Sequence, residues 1–105
     1  MEAWILHVKE MRKTNPKDSQ ISEENRYSSW ATEQQALKAA GQFIKEQMTG
    51  VPYVLSKPAI TLIDAGEIGL AIGLLNTYTS FGKDYEEYRQ YLFRIVQSTF
   101  QSPLE

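Results

Sequence analysis

The sequence predicts an α+β fold: a pseudo-duplicated ββαββα chain forming a four-stranded antiparallel sheet with two helices packed on one face. Three observations lead there. A seven-residue string occurs twice, as Asn25-Arg26-Tyr27-Ser28-Ser29-Trp30-Ala31 and as Asn76-Thr77-Tyr78-Thr79-Ser80-Phe81-Gly82. Each copy precedes a helix-start pattern and an amphipathic run, as a duplicated supersecondary unit would. Ala3 to Met11 alternates well enough for a strand, whereas two later stretches carry apolar residues three and four apart. The chain of 105 residues then reads as a single domain with half-repeats over about 1–50 and 51–103.

Residues Ala3 to Met11 form the first predicted strand, with Trp4, Leu6 and Val8 on one face and Ile5, His7 and Lys9 on the other. Arg12 to Glu24 is polar and contains Asn15-Pro16, so it is expected to be a long hairpin loop. Arg26 to Trp30 returns as the second strand. Thr32 and Gln35 make a capping box, in which each side chain satisfies an orphan backbone N–H. Ala36, Leu37, Ala40, Phe43, Ile44 and Met48 follow on one helical face, and Gly50 with Pro52 ends the helix.

Two readings compete from Tyr53 to Phe81. As a helix, residues 65–79 would start at an Asp64/Glu67 capping box but hold Gly66, Gly69 and Gly73, at about 1 kcal/mol each relative to alanine. As a hairpin, Ile60 to Ile63 would pair with Glu67 onward, with Gly66 in the left-handed turn position. Period two places Ile68, Leu70, Ile72 and Leu74 opposite Gly69, Ala71 and Gly73, and the repeated string also asks for strand, so the hairpin is preferred. Asp84 and Glu87 then cap a second helix with Tyr85, Tyr88, Leu92, Ile95, Val96 and Thr99 on its face. Tyr91 to Val96 also has the β-branched and aromatic content of a strand, but cap and period together favour helix.

Composition narrows the function classes. The net charge is −2 and no basic patch stands out, which argues against nucleic acid as partner. Without cysteine, disulfides and thiolate metal sites are excluded. The longest apolar run, Ile68 to Leu75, is far short of the ~20 residues a membrane span needs. The first residues lack a signal peptide's basic start, which makes the cytoplasm the expected location, and Leu104-Glu105 has the look of a cloning scar.

The chemistry-bearing residues are sparse. His7 is the single histidine and Asp64, Glu67, Asp84, Glu86 and Glu87 fit turns and first helical turns, so no catalytic residue, metal ligand or cofactor is predicted. Gly66-Glu67-Ile68-Gly69 has the bare spacing of a phosphate-clamping GXXG loop, but its glutamate would repel phosphate. Six tyrosines accompany Trp30 and Phe81, which would plug the two strand–helix corners. Aromatics with polar tips suit interfaces, and the predicted binding residues are Trp30, Phe81, Arg89, Tyr91 and Phe93. The expectation is a non-enzymatic protein-interaction domain, binding itself as a homo-oligomer or another protein. Its size and charge suit an immunity, anti-defence or assembly factor. The alternative is a small-ligand domain or small enzyme with a pocket between sheet and helices, where Arg89 would anchor an anion.

Overall fold

The structure is a computed structural model and describes residues 2–13, 21–50, 53–81 and 88–99. Its strands are β1 (Glu2–Lys13), β2 (Ser22–Trp30), β3 (Ser80–Phe81) and β4 (Tyr88–Thr99), and its helices α1 (Glu33–Met48), α2 (Ser56–Asp64) and α3 (Ile68–Thr77). The three long strands form one antiparallel sheet in the order β2-β1-β4, and the two-residue β3 adds a short pairing beyond β4. The first and last strands therefore lie side by side at the centre, paired from Glu2↔Thr99 to Lys13↔Tyr88.

Register fixes which residues face the helices. Trp4, Leu6, Val8, Glu10 and Arg12 of β1 share a face with Arg89, Tyr91, Phe93, Ile95 and Gln97 of β4. Leu6, Val8, Tyr91 and Phe93 meet Ala40, Ile44 and Met48 of α1, Ala59 of α2, and Ala71 and Leu75 of α3 in one continuous core. α1 forms as its sequence dictates. Gln35 N–H donates to Thr32 Oγ1 at 3.1 Å and Ala31 N–H to Gln35 Oε1 at 3.1 Å, so the reciprocal cap is made, one residue earlier than the ideal box. Gly41 is buried where α1 meets α3; a Cβ there would stand 3.1 Å from Ile68 Cδ1. Only the missing side chain lets the two helices approach so closely.

The predicted ββαββα order with two helices is corrected by the second half of the chain. The stretch expected to form a hairpin is helical: Ile60 to Ile63 lie in α2, and Ile68 to Thr77 make α3. Ile68, Ala71, Ile72 and Leu75 satisfy the i, i+3, i+4, i+7 helical template as well as they do alternation. Gly69 and Gly73 fall on the solvent stripe, where no side chain is needed for packing. Gly66 does take a left-handed φ of +79°, but it turns the chain between helices, its N–H donating to Ile63 O at 3.0 Å. Glu67 makes no side-chain cap on α3, so the Asp64/Glu67 box is not formed.

The predicted last helix is also corrected, because β4 is a strand over Tyr88–Thr99. Its period-two sorting buries Tyr91 and Phe93 and exposes Leu92, Arg94 and Val96. Placed on a helical wheel, Tyr91 and Phe93 would widen the apolar arc of Tyr88, Leu92, Ile95 and Val96 and Arg89 would fall inside it, a pattern that fits a strand better than a helix. The Asp84/Glu87 cap, Pro16 and the final Leu104-Glu105 lie outside the described residues. The duplication finds no counterpart in the architecture. Asn25 to Trp30 runs along β2, whereas Asn76 and Thr77 end α3 and Ser80–Phe81 forms β3. Among the described residues no helix is long and apolar enough to cross a membrane.

Asn76 joins the helical layer to the sheet. Its Nδ2 donates to Phe93 O at 3.0 Å, and Phe93 N–H donates to its Oδ1 at 2.7 Å, as a neighbouring strand would. Gln90 Nε2 returns the contact by donating to Leu75 O at 2.8 Å, at the C-terminal turn of α3, where carbonyls lack helical partners. Asn76→Ala removes both bonds to Phe93 and is expected to cost about 2 kcal/mol in urea unfolding. Asn76→Asp, which keeps the acceptor, should cost less; equal stability of all three proteins would refute the role.

Candidate interaction surface

The predicted binding residues separate into interior and rim. Tyr91 is 1% exposed and Phe93 5%, so both fill the core rather than face solvent. Phe43 meets them edge-on, with centroids 6.3 Å from Tyr91 and 5.9 Å from Phe93. Trp30 is half-buried at the end of β2, and its indole N–H donates to Ser28 Oγ at 2.8 Å. Phe81 lies in β3 opposite Tyr88, and its side chain is outside the described residues. Arg89 is half-buried on β4, its guanidinium 5.0 Å from the Tyr53 ring centroid and its Nη1 3.4 Å from Tyr91 Oη. Tyr91 and Phe93 therefore share no solvent surface with Trp30 and Arg89.

Around Arg89 the sheet carries its densest polar cluster on the helix side. Arg12 stands directly opposite Arg89 in the register, and Glu10 opposite Tyr91. Glu10 is 5% exposed and accepts from Arg12 Nη2 at 2.8 Å, so the buried carboxylate has its counter-charge. Burial pushes the Tyr91 hydroxyl above the usual phenol range, against the opposing pull of its bond from Arg89. Burial opposes the charge on Arg89, but the Tyr91 hydroxyl, Tyr53 and Glu10 outweigh it and hold the guanidinium's pKa above its ordinary value. This is a braced corner of the core. No pocket opens beside Tyr91 and Phe93, where Phe43, Met48 and Leu75 pack against them. Gly69 and Gly73 face outward from α3 and open no space toward the sheet. Open depressions of about 420 Å³ between α1 and the start of α3, and about 400 Å³ between α1 and β2, lie away from Arg89.

The far face of the sheet has the opposite character. Ile5, His7, Lys9 and Met11 of β1, Tyr27 and Asn25 of β2, and Leu92, Arg94 and Val96 of β4 share it by register. Among the described residues no element packs over this face. Val96 stands opposite Ile5 and is 38% exposed, while Leu92 stands opposite Lys9 and is 37% exposed. Tyr27 is 69% exposed yet held in place, its ring stacked on His7 at 4.4 Å between centroids and 4° between planes. His7 Nε2 donates to Asn25 Oδ1 at 2.8 Å, which fixes the imidazole. Lys9 Nζ sits 2.7 Å from Glu23 Oε1, and that hydrogen bond, helped by the charge of Lys9, lowers the Glu23 pKa.

The two edges of the sheet differ as well. Beyond β4 the chain supplies β3 and the Asn76 amide. Beyond β2, among the described residues, no strand pairs at all. β2 carries Glu24 and Arg26 two residues apart, their side chains in contact at 3.1 Å, with the Arg26 guanidinium 5.3 Å from the Phe43 ring centroid. Sequence reading missed the β4 residues of this face because it placed β4 as a helix. The alternation of Leu92, Arg94 and Val96 was the available signal.

Comparisons with protein-family models, with curated proteins and with solved structures gave no match. Among the described residues no group of three or more His, Asp or Glu side chains could hold a metal ion.

The raised Tyr91 pKa has a defined consequence for stability. The unfolded chain gives up this proton near the ordinary phenol pKa of about 10, while the folded protein retains it, so stability is full below that pH and falls above it. Urea midpoints measured from pH 9 to pH 11 should decline less steeply for Tyr91→Phe than for the parent. Parallel declines would show that Tyr91 titrates as in the unfolded chain.

Proposed function

We propose that the protein is a non-enzymatic interaction domain that binds another protein or a second copy of itself through its sheet. The observation that carries this reading is the one-sided covering of the sheet. Helices seal one face, while the other presents Ile5, Tyr27, Leu92 and Val96 on a rigid backbone. Antiparallel sheets do tolerate a solvated face. Here its centre is mixed, with aliphatic pairs beside Lys9, Arg94 and the braced His7–Tyr27 stack. Such a composition, with an aromatic already ordered, suits recognition because little side-chain entropy is lost on binding. The polar groups that catalysis would use are engaged in structural contacts: Glu10 with Arg12, and Tyr91 with Arg89. The small-ligand alternative loses its Arg89-anchored pocket, since Phe43, Tyr91 and Phe93 pack together and the open depression between α1 and β2 lies away from Arg89.

Leu92→Lys with Val96→Lys tests the reading. Both side chains are exposed, so the pair should change folding stability by about 1 kcal/mol or less. It should weaken capture of a partner on the open face by tenfold or more, whereas a complex made at the strand edge would be indifferent to it. A parent that is monomeric at high micromolar concentration and captures no partner would overturn the proposal.

A further inference from the structure

The unpaired edge of β2 allows a more specific statement, which rests on the reading of the protein as an interaction domain. We propose that β2 is the contact edge of a two-fold homodimer, pairing antiparallel with the β2 of a second copy about Asn25.

An exposed strand edge presents a row of backbone donors and acceptors that a further strand can satisfy. The opposite edge of this sheet is closed by the chain itself, through β3 and the two bonds between Asn76 and Phe93. β2 has no such closure among the described residues. Its length, Ser22–Trp30, exceeds that of the short edge strands that proteins use to discourage pairing.

Symmetry then restricts the register. Two identical strands pair antiparallel across a two-fold axis normal to the sheet, so both copies keep their helices on the same side, and one residue must face its own twin. Centring on Glu24 sets carboxylate against carboxylate, and centring on Arg26 sets guanidinium against guanidinium. Like charges directly opposite destabilise a ladder. Centring on Tyr27 opposes no like charges but makes no ion pair. Centring on Asn25 places Glu24 opposite the second copy's Arg26 and, by symmetry, Arg26 opposite the second copy's Glu24. The same register sets Glu23 beside the second copy's Tyr27 and Ser22 beside its Ser28.

The side chains are already disposed for this exchange. Glu24 and Arg26 point to the same side of the strand and contact each other at 3.1 Å. Across β1, Glu24 faces Glu10, which is held by Arg12, and Arg26 faces Val8. Neither has a charge partner on the inner neighbour. Arg26 lays its guanidinium over Phe43 on the helix side of the sheet, beside Glu24 of its own strand. The charges that would repel a neighbouring register therefore select this one. The product is a continuous sheet through both copies, helices on one side and the two open faces contiguous on the other.

The absence of cysteine makes the register directly readable. Opposed residues of an antiparallel pair have Cα atoms about 4.5–5.5 Å apart, within the span of a disulfide. Asn25→Cys should therefore give a covalent dimer under mild oxidation. Ser29→Cys should not, because in this register residue 29 and its twin lie about 26 Å apart along the strands. Glu24→Arg should weaken dimerisation about tenfold or more in sedimentation equilibrium, and Glu24→Arg with Arg26→Glu should restore it; circular dichroism checks that each variant is folded. A dimer in which Asn25→Cys fails to cross-link, or that ignores Glu24→Arg, overturns the edge assignment. If such a dimer still dissociates with Leu92→Lys and Val96→Lys, the interaction-domain reading survives while this inference does not. A parent that stays monomeric while binding a defined partner through Leu92 and Val96 likewise overturns the homodimer and leaves the interaction domain standing.

Discussion

The pairing of β1 with β4 is the constraint on which the rest of the molecule depends. It runs the length of both strands and joins the two ends of the described chain at the centre of the sheet. Leu6 and Val8 from one end and Tyr91 and Phe93 from the other form the floor on which the helices rest. Neither strand could bury these residues alone. The described elements between them are β2 beside β1, the three helices that cover the joint floor, and the short β3 beyond β4. The non-local character of this pairing also means that much loop-closure entropy must be overcome before the core becomes favourable.

Legibility in the sequence follows how local each determinant is. β1 and α1 are set by local signals, alternation in one and a reciprocal Thr32/Gln35 cap with a clean apolar stripe in the other, and both form as expected. The second half is decided by what packs on what. Ile68 to Leu75 is apolar enough to satisfy two periods at once, and only the need to cover a sheet selects the helix. β4 had the reverse problem. Its strand character lay in aromatic and β-branched residues, but an apparent helical cap outweighed them. The duplicated Asn-x-Tyr string misled because its two asparagines do different work. Asn25 accepts from His7 on the open face, whereas Asn76 imitates a strand at the edge of β4. The site was less legible than the fold, since a surface made of residues from three strands exists only once their register is set.

The sheet is asymmetric in both of its free directions. Across its thickness, one side is sealed and the other solvated; across its width, one edge is closed by Asn76 and β3 and the other is open. These asymmetries are coupled through β2. That strand contributes Tyr27 to the open face and Arg26 to the cover over Phe43, while its backbone forms the free edge. A molecule engaged through β2 would thus be sensed on both faces at once. The ion pair of buried Glu10 with the more exposed Arg12, and the Arg89 guanidinium over the Tyr53 ring, brace the other end of the same sheet.

The outward glycines of α3 have a practical side. At Gly69 and Gly73 a methyl group would meet nothing within 4 Å, and neither backbone needs a glycine-only conformation. Each position leaves the helix with about 1 kcal/mol of avoidable flexibility relative to alanine. The protein thus has engineering headroom on the solvent side of α3. A Gly69→Ala, Gly73→Ala background would be a sturdier scaffold for laboratory evolution, able to tolerate substitutions that the native chain would not survive.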